Sequence, residues 1–363
     1  MRGSRAPSGN RRVTRTTGSG TARDLSGATA RYQGPLRHAG MIGPGTGRAQ
    51  EGEGVVGEHS DIVRSDGRAG SNSEPSARTA FVLAGGGNLG AVQVGMLRAL
   101  LEAGIVPDLV VGTSIGALNG AYLAGHAHVA GMTMLAELWE SVQRQDVFPM
   151  HAGSLTRGLL GHQPYLFDSL GLRGLLARAE LGFVRLEDAP IPLAVVATDL
   201  HTGEAVVLKE GDVIHALLAS SAIPGVFPPV EWHGRTLVDG GVAANAPIAQ
   251  AEQWDPAQVY VLPTTPDETS QPAANAIVMM QRAMALATEP AGRRALAEAS
   301  ARRAVHVLPV PEATEHLSIF DFKVTRRLID ESYALTTAWL DNVAADDRTV
   351  THAPAADEPQ WVV

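Results

Sequence analysis

Twice within about fifty residues the chain sets a short apolar run before a cluster of glycines and then a helix-spaced apolar stretch, and this pattern constrains the fold more than any other feature. TAFVLA at 79–84 leads into GGGNLG at 85–90 and then AVQVGMLRALLEAG, where Val94, Met96, Leu97, Leu100 and Leu101 fall on one helical face and Gly104 ends the helix. Leu109 to Val111 leads into Gly112-Thr113-Ser114, which heads a second helix. Strand, helix, strand, helix at this spacing predicts a βαβ unit and a parallel sheet. A right-handed crossover places both glycine turns at the carboxyl edge of that sheet, so residues distant in sequence become neighbours.

Downstream, residues 131–187 read as an apolar helical insertion dotted with glycine. Strands are predicted at 192–198, 205–208 and 259–262, with a further short one (TLV) before Asp239. Helices are predicted at 212–221, at 273–304 with a break near Pro290, and at 320–340. The stretch from Leu109 to Ala136 has no Asp, Glu, Lys or Arg and is long enough to span a bilayer. Its five glycines and two histidines, and its division into strand, turn and helix, instead predict a core element covered on both faces. Arg2 and Arg5 are followed by no apolar run, so no signal peptide is expected and the reading is cytoplasmic.

Composition narrows the chemistry. The 363 residues include no cysteine, which excludes disulfide frameworks, thiolate metal sites and a cysteine nucleophile. The net charge of −9 conceals two unlike parts. Residues 1–78 hold twelve Arg, no Lys and seven acids, a net of +5, with no apolar run able to offset the entropy of ordering. They are expected to form a disordered Arg/Gly/Ser-rich segment, followed by a domain over 79–345 and an acidic tail over 346–363. The part after residue 78 carries −14, so nucleic acid is not an expected partner and any membrane contact should be local, apolar and peripheral.

Gly85-Gly86-Gly87-Asn88-Leu89-Gly90 satisfies G-x-G-x-x-G, but the acid that would hold a ribose should end the second strand, and Asp108 precedes it. No dinucleotide or other cofactor is therefore expected. Gly112-Thr113-Ser114-Ile115-Gly116 is G-x-S-x-G at a strand-to-helix turn, the context of a nucleophile elbow. On so tight a turn Gly112 and Gly116 avoid a Cβ collision, while the serine Oγ projects above the sheet edge at a helix amino end. Attack on an ester creates an oxyanion that needs backbone donors already aimed at it, and Gly85, Gly86 and Gly87 are the candidate oxyanion hole. Asp239-Gly240-Gly241 follows a short strand; taken alone it is a candidate base or an ordinary turn.

These segments together resemble the bacterial patatin-like phospholipases. The resemblance rests on GGGNLG at 85–90, GTSIG at 112–116, TDLHTGE at 198–204, ASSAIPGVFPPV at 219–230 and LVDGGVAANAP at 237–247, and covers about residues 79–345. It implies an α/β fold, a three-layer α/β/α sandwich with a mainly parallel central sheet. It also implies a serine acyl hydrolase, phospholipase A- or lysophospholipase-like, with Ser114 as nucleophile, Asp239 as base, the 85–87 loop as oxyanion hole, and a lipid or acyl ester as substrate. One position departs: the family usually has Arg or Lys just before the loop's last glycine, and this chain has Leu89. An unperturbed Asp, with a pKa of about 3.9 against about 6.5 for His, is the weaker base, so the dyad needs Asp239 to be raised by burial.

Other readings of the same residues are open to test. An α/β-hydrolase triad would draw on His306 or His316, both after Asp239. His126, His128, His151 and His162 lack a carboxylate at ligand spacing and read as surface or packing residues rather than a metal site. Asp199 and Glu204 flank Thr202-Gly203 and read as a turn. A non-catalytic lipid-binding protein retaining the fold is the non-enzyme alternative. The leucines and Phe167 of the insertion, from Leu159 to Leu176, would either line an acyl channel or form ordinary core.

Overall fold

The computed structural model describes residues 79–149, 160, 163–265, 276–312, 314 and 321–350. The expectations for 1–78, for 351–363 and for Leu159, His151, His162 and His316 lie outside the described residues. In chain order the elements are β1 (Thr79–Leu83), α1 (Ala91–Glu102), β2 (Leu109–Thr113), α2 (Ile115–Gly125), α3 (Val129–Ser141), α4 (Arg144–Val147), α5 (Leu170–Arg178), β3 (Leu193–Asp199), β4 (Ala205–Leu208), α6 (Val213–Ser220), β5 (Val230–Trp232), β6 (Arg235–Asp239), α7 (Ile248–Ala251), β7 (Gln258–Leu262), α8 (Ala276–Ser300), β8 (Ala304–Val307) and α9 (Thr325–Val350).

The strands form one sheet in which β3, β2, β1, β7 and β8 are adjacent and parallel. Every residue of β1, β2 and β3 is buried, as expected of strands with both faces covered. The period of two assigns alternate residues to opposite layers. Phe81, Leu83 and Val110 join α1, α2 and α3 in one core, while Ala80, Val82, Leu109 and Val111 join Ile248 of α7 and Ala299 of α8 in the other. This is an α/β/α sandwich with a mainly parallel sheet, and α1 is clamped from outside by α9. Each Leu or Phe fully buried in such layers stabilises by about 1.5–3 kcal/mol.

The antiparallel additions to β3 decide where the site forms. Ala197 and Thr198 pair with Val206 and Ala205 of β4, and also with Asp239 and Val238 of β6, so β4 and β6 lie along opposite edges of β3. Val195 and Val196 pair with Gly112 and Thr113 of β2 and with Leu208 and Val207 of β4. Thus β2 and β6 share one edge of β3 and run toward each other along it. Thr113 stops opposite Val196, and Asp239 stops opposite Ala197.

Three details depart from expectation. α8 runs unbroken through Pro290. Pro290 and Leu286, whose carbonyl loses its partner, are both exposed, and water can satisfy what the ring removes. β8, expected to be helical at its start, is a four-residue edge strand that exists through its pairing with β7. α9 continues to Val350, beyond 340 and into the stretch expected to be a tail. Among the described residues no helix is long and apolar enough to cross a membrane.

Candidate active site

Ser114 stands alone between β2 and α2 with φ 53° and ψ −123°, a backbone conformation that side-chain-bearing residues rarely adopt and that costs roughly 1–3 kcal/mol. Its surroundings hold it there. The Ser114 amide donates to Ser220 Oγ at 2.8 Å, Ser220 Oγ donates to the Val196 carbonyl at 2.6 Å, and the Ser114 carbonyl accepts the Ala117 amide at 2.9 Å. A Cβ on Gly112 would lie 2.6 Å from both the Gly116 carbonyl oxygen and the Ala117 amide nitrogen, and one on Gly116 would lie 2.3 Å from the Leu83 carbonyl of β1. The elbow glycines thus answer to backbone on both sides.

Asp239 meets Ser114 because β6 arrives head-on. Ser114 Oγ donates to Asp239 Oδ2 at 2.7 Å across 125 residues of sequence. Asp239 ends its short strand as expected, and that strand runs inward from the carboxyl edge, antiparallel to β3. The other carboxylate oxygen, Oδ1, accepts the Gly241 amide at 2.7 Å, the Asp239 amide donates to the Ala222 carbonyl at 3.0 Å, and the Asp239 carbonyl accepts Thr198 Oγ1 at 2.9 Å. Only 4% of the residue is exposed. Burial raises its carboxyl from 3.8 to about 6, against the opposing pull of the bonds from Ser114 and Gly241. No charged partner is needed for the shift.

The glycine loop lies against the same serine. The Gly85 amide donates to the Asn245 carbonyl at 3.0 Å, and the Gly85 carbonyl accepts Thr264 Oγ1 at 2.6 Å. Gly85 is therefore a fixed point of the loop, whereas the Gly86 and Gly87 amides, at the start of a short 3-10 turn (Gly87–Gly90), have no acceptor among the described residues. Leu89 is buried within the core of α1 and α2. A wholly buried chain of side chains backs the loop. Gln93 Nε2 donates to the Ala84 and Leu262 carbonyls, Asn119 Nδ2 donates to Gln93 Oε1 and the Gly90 carbonyl, and Trp139 Nε1 donates to Asn119 Oδ1.

Ser114 and Gly87 open onto an apolar pocket of about 930 Å³, its mouth included. α2 contributes Ile115 and Leu118, α3 Leu135 and Trp139, and α5 Leu172 and Leu176, with no Asp, Glu, Lys or Arg among the lining residues that are described. The insertion divides between its two expected roles: Leu172, Leu175 and Leu176 line the pocket, Phe167 packs with Phe148, Val226 and Phe227, and Leu160 and Leu170 are exposed.

The remaining candidates fall elsewhere. His306 on β8 is level with Val110 through Tyr260 and Phe81, and three strands from β2, roughly 14 Å sideways at ordinary strand spacing. Its ring stacks on Tyr260. His126 stacks on Tyr122, and His128 Nδ1 accepts the Gly131 amide and so caps α3. No cluster among the described residues could hold a metal ion. Asp199 Oδ1 accepts the His201 and Thr202 amides, bonds that with the nearby Arg235 hold its carboxyl below the usual range, in the turn between β3 and β4. Glu204 follows in that turn, its amide bonded to Thr202 Oγ1.

Sequence reasoning passed over Ser220, Thr198, Asn245, Thr264, Gln93, Asn119 and Trp139. Thr198, Ser220 and Asn245 lie inside the segments that carry the resemblance, and that shared membership was a usable signal. Gln93, a polar residue on an apolar helix face, was another.

Residues 81–252 match the model of the patatin-like phospholipase family. An uncharacterized NTE family protein of Mycobacterium tuberculosis is 36% identical over 183 residues, 48% of this chain and 45% of that protein. The patatin-like phospholipase domain-containing protein 7 of Rattus norvegicus is 32% identical over 170 residues, 46% of this chain and 12% of that protein. The chain thus spans less than half the length of these curated relatives. VipD of Legionella pneumophila, a solved structure, aligns with TM-score 0.38 and 17% identity over 74% of this chain and 67% of that one. The matched segment contains both the elbow and Asp239, and over that segment the chain is similar to the patatin-like phospholipase family.

Proposed function

We propose that the protein is a serine hydrolase of lipid acyl esters, phospholipase A- or lysophospholipase-like, working through Ser114 and Asp239. The observation that carries this reading is the 2.7 Å bond from Ser114 Oγ to a buried carboxylate at the mouth of an apolar pocket. In the acylation step Ser114 Oγ bonds to the ester carbon while its proton passes to Asp239 Oδ2. The displaced carbonyl electron pair rests on the oxyanion, which accepts from the Gly86 and Gly87 amides. Collapse restores the carbonyl and breaks the bond to the alkoxy oxygen, which takes the proton from Asp239 and leaves as the alcohol. Water repeats the sequence to release the acid. A carboxyl at about 6 is ionised at neutral pH and a stronger base than an ordinary Asp. The pocket takes the acyl chain, the 79–345 segment is the catalytic domain, and the lipid is reached by peripheral, local apolar contact from the cytoplasmic side.

The test is labelling by an alkyl fluorophosphonate together with hydrolysis of p-nitrophenyl esters. Wild type should label at Ser114 and turn over, and Ser114→Ala should do neither. Equal inertness of both proteins would overturn the hydrolase reading and leave lipid binding without catalysis.

A further inference from the structure

Ser221 lies in the wall of the same pocket and is 6% exposed, and its hydroxyl has no hydrogen-bond partner among the described residues. Its backbone is fully engaged, the amide with the Leu217 carbonyl at 3.1 Å and the carbonyl with the Ile223 amide at 2.9 Å, so the hydroxyl alone is open. The neighbours on either side bind the reacting pair. Ser220 Oγ accepts the Ser114 amide, and the Ala222 carbonyl accepts the Asp239 amide. Ser221 thus stands in sequence between the residues that anchor the two groups, and it shares the pocket wall with Ser114.

A buried hydroxyl without a partner is a cost that the fold bears unless something else satisfies it. An acyl chain has no atom to offer, and the next residues along the chain in the wall, Ile223 and Phe227, are apolar. The polar atoms that a bound ester brings to this depth are its carbonyl oxygen and its alkoxy oxygen. The first belongs with the Gly86 and Gly87 amides; the second must sit close to Asp239, from which it takes its proton.

Resting on the hydrolase reading above, we propose that Ser221 is a further catalytic residue, whose hydroxyl donates a hydrogen bond to the alkoxy oxygen of the ester as the bond to the acyl carbon breaks. No proton is transferred from Ser221; it stabilises charge on the leaving oxygen until Asp239 delivers the proton. The requirement follows the leaving group. A p-nitrophenolate departs unaided, whereas a glyceryl alkoxide, the leaving group of an acylglycerol or a lysophospholipid, does not.

The experiment compares wild type, Ser221→Ala and Ser221→Thr on a p-nitrophenyl ester and a glyceryl ester of one acyl chain. Ser221→Ala should lose about 10- to 100-fold in kcat on the glyceryl ester, the worth of one hydrogen bond to a charged group, and less than about threefold on the p-nitrophenyl ester. Ser221→Thr should restore most of the loss, and the thermal midpoint of Ser221→Ala should be no lower than that of wild type. Equal losses on both esters, or none on either, would overturn the proposal. Fluorophosphonate labelling separates the two levels: a wild type that neither labels nor turns over defeats the hydrolase reading and this inference with it. Intact labelling with a loss indifferent to the leaving group defeats this inference alone.

Discussion

The two glycine turns at the carboxyl edge of the sheet begin alike and are finished differently. Each follows a five-residue buried parallel strand, and in each an added Cβ would strike its neighbours. At the elbow the unusual backbone falls on Ser114 itself, at φ 53°, and the flanking glycines are bare. In the 85–87 loop it falls on Gly87, at φ 60°, and amides are presented without side chains. On the proposed reading Ser114 is the reacting side chain and needs one enforced conformation, here secured by the Ser220 hydroxyl and the first turn of α2. The proposed charge-receiving loop needs donors left uncovered, here with Gly85 tied to Asn245 and Thr264 so that Gly86 and Gly87 stay open. Substitutions on the two sides should therefore fail in different ways.

The largest effect belongs to the elbow side. Asp239→Asn should lower kcat/KM by about 10⁴-fold or more while leaving the pocket able to bind a fatty acyl chain. It should also raise stability at pH 8. The native carboxyl is lifted from 3.8 to about 6, so its contribution to stability is complete below the unfolded value and is lost as pH rises through about 6. Above that, ionisation weakens the fold by up to about 3 kcal/mol, a term the amide does not carry. An inactive variant with a lower thermal midpoint at pH 8 would reduce Asp239 to a framework residue. In wild type the same group sets the acid limb: kcat/KM should fall about tenfold per unit below pH 6, and a flat profile down to pH 5 would remove Asp239 as the base.

On the loop side, Gly86→Ala places a methyl 2.1 Å from Thr264 Oγ1 and must shift the loop. The expected loss is about 10²- to 10³-fold in kcat with fluorophosphonate binding still directed to Ser114. A loss confined to KM would show that the amides serve binding alone. The smallest effect marks the outer boundary of both turns. His306→Ala should change kcat/KM by less than about twofold, because His306 packs on Tyr260 and Trp339, three strands from β2. A loss of several orders of magnitude there would restore the histidine triad.

The βαβ core was legible because apolar runs and glycine turns report a parallel sheet locally, as at 79–84 and 109–116. Ser114, Gly112 and Gly116 were legible for the same reason: each obeys steric demands of its own turn. The direction of β6 was not, since TLV before Asp239 reads the same whether the strand enters or leaves the edge, and only pairing with β3 decides. β8 escaped because AVHV is partly exposed and takes its form from β7. The engagement of Gly85 with Asn245 and Thr264 also joins residues more than 150 positions apart, which no local pattern records.

The head-on meeting of β2 and β6 has a consequence for how the protein comes into being. The βαβ unit that carries both glycine turns lies within residues 79–125, contacts of short sequence separation and low cost in loop entropy, whereas the bonds that fix the two turns come from Ser220, Asn245 and Thr264. The carboxylate arrives from 125 residues further on, and can dock only after β3 has presented a free edge. During synthesis a chain that has made both turns still lacks Asp239 and the residues that hold those turns. On the proposed hydrolase reading, reactivity of Ser114 would report the completed fold, because the site is incomplete until β6 and the segment after β7 are in place.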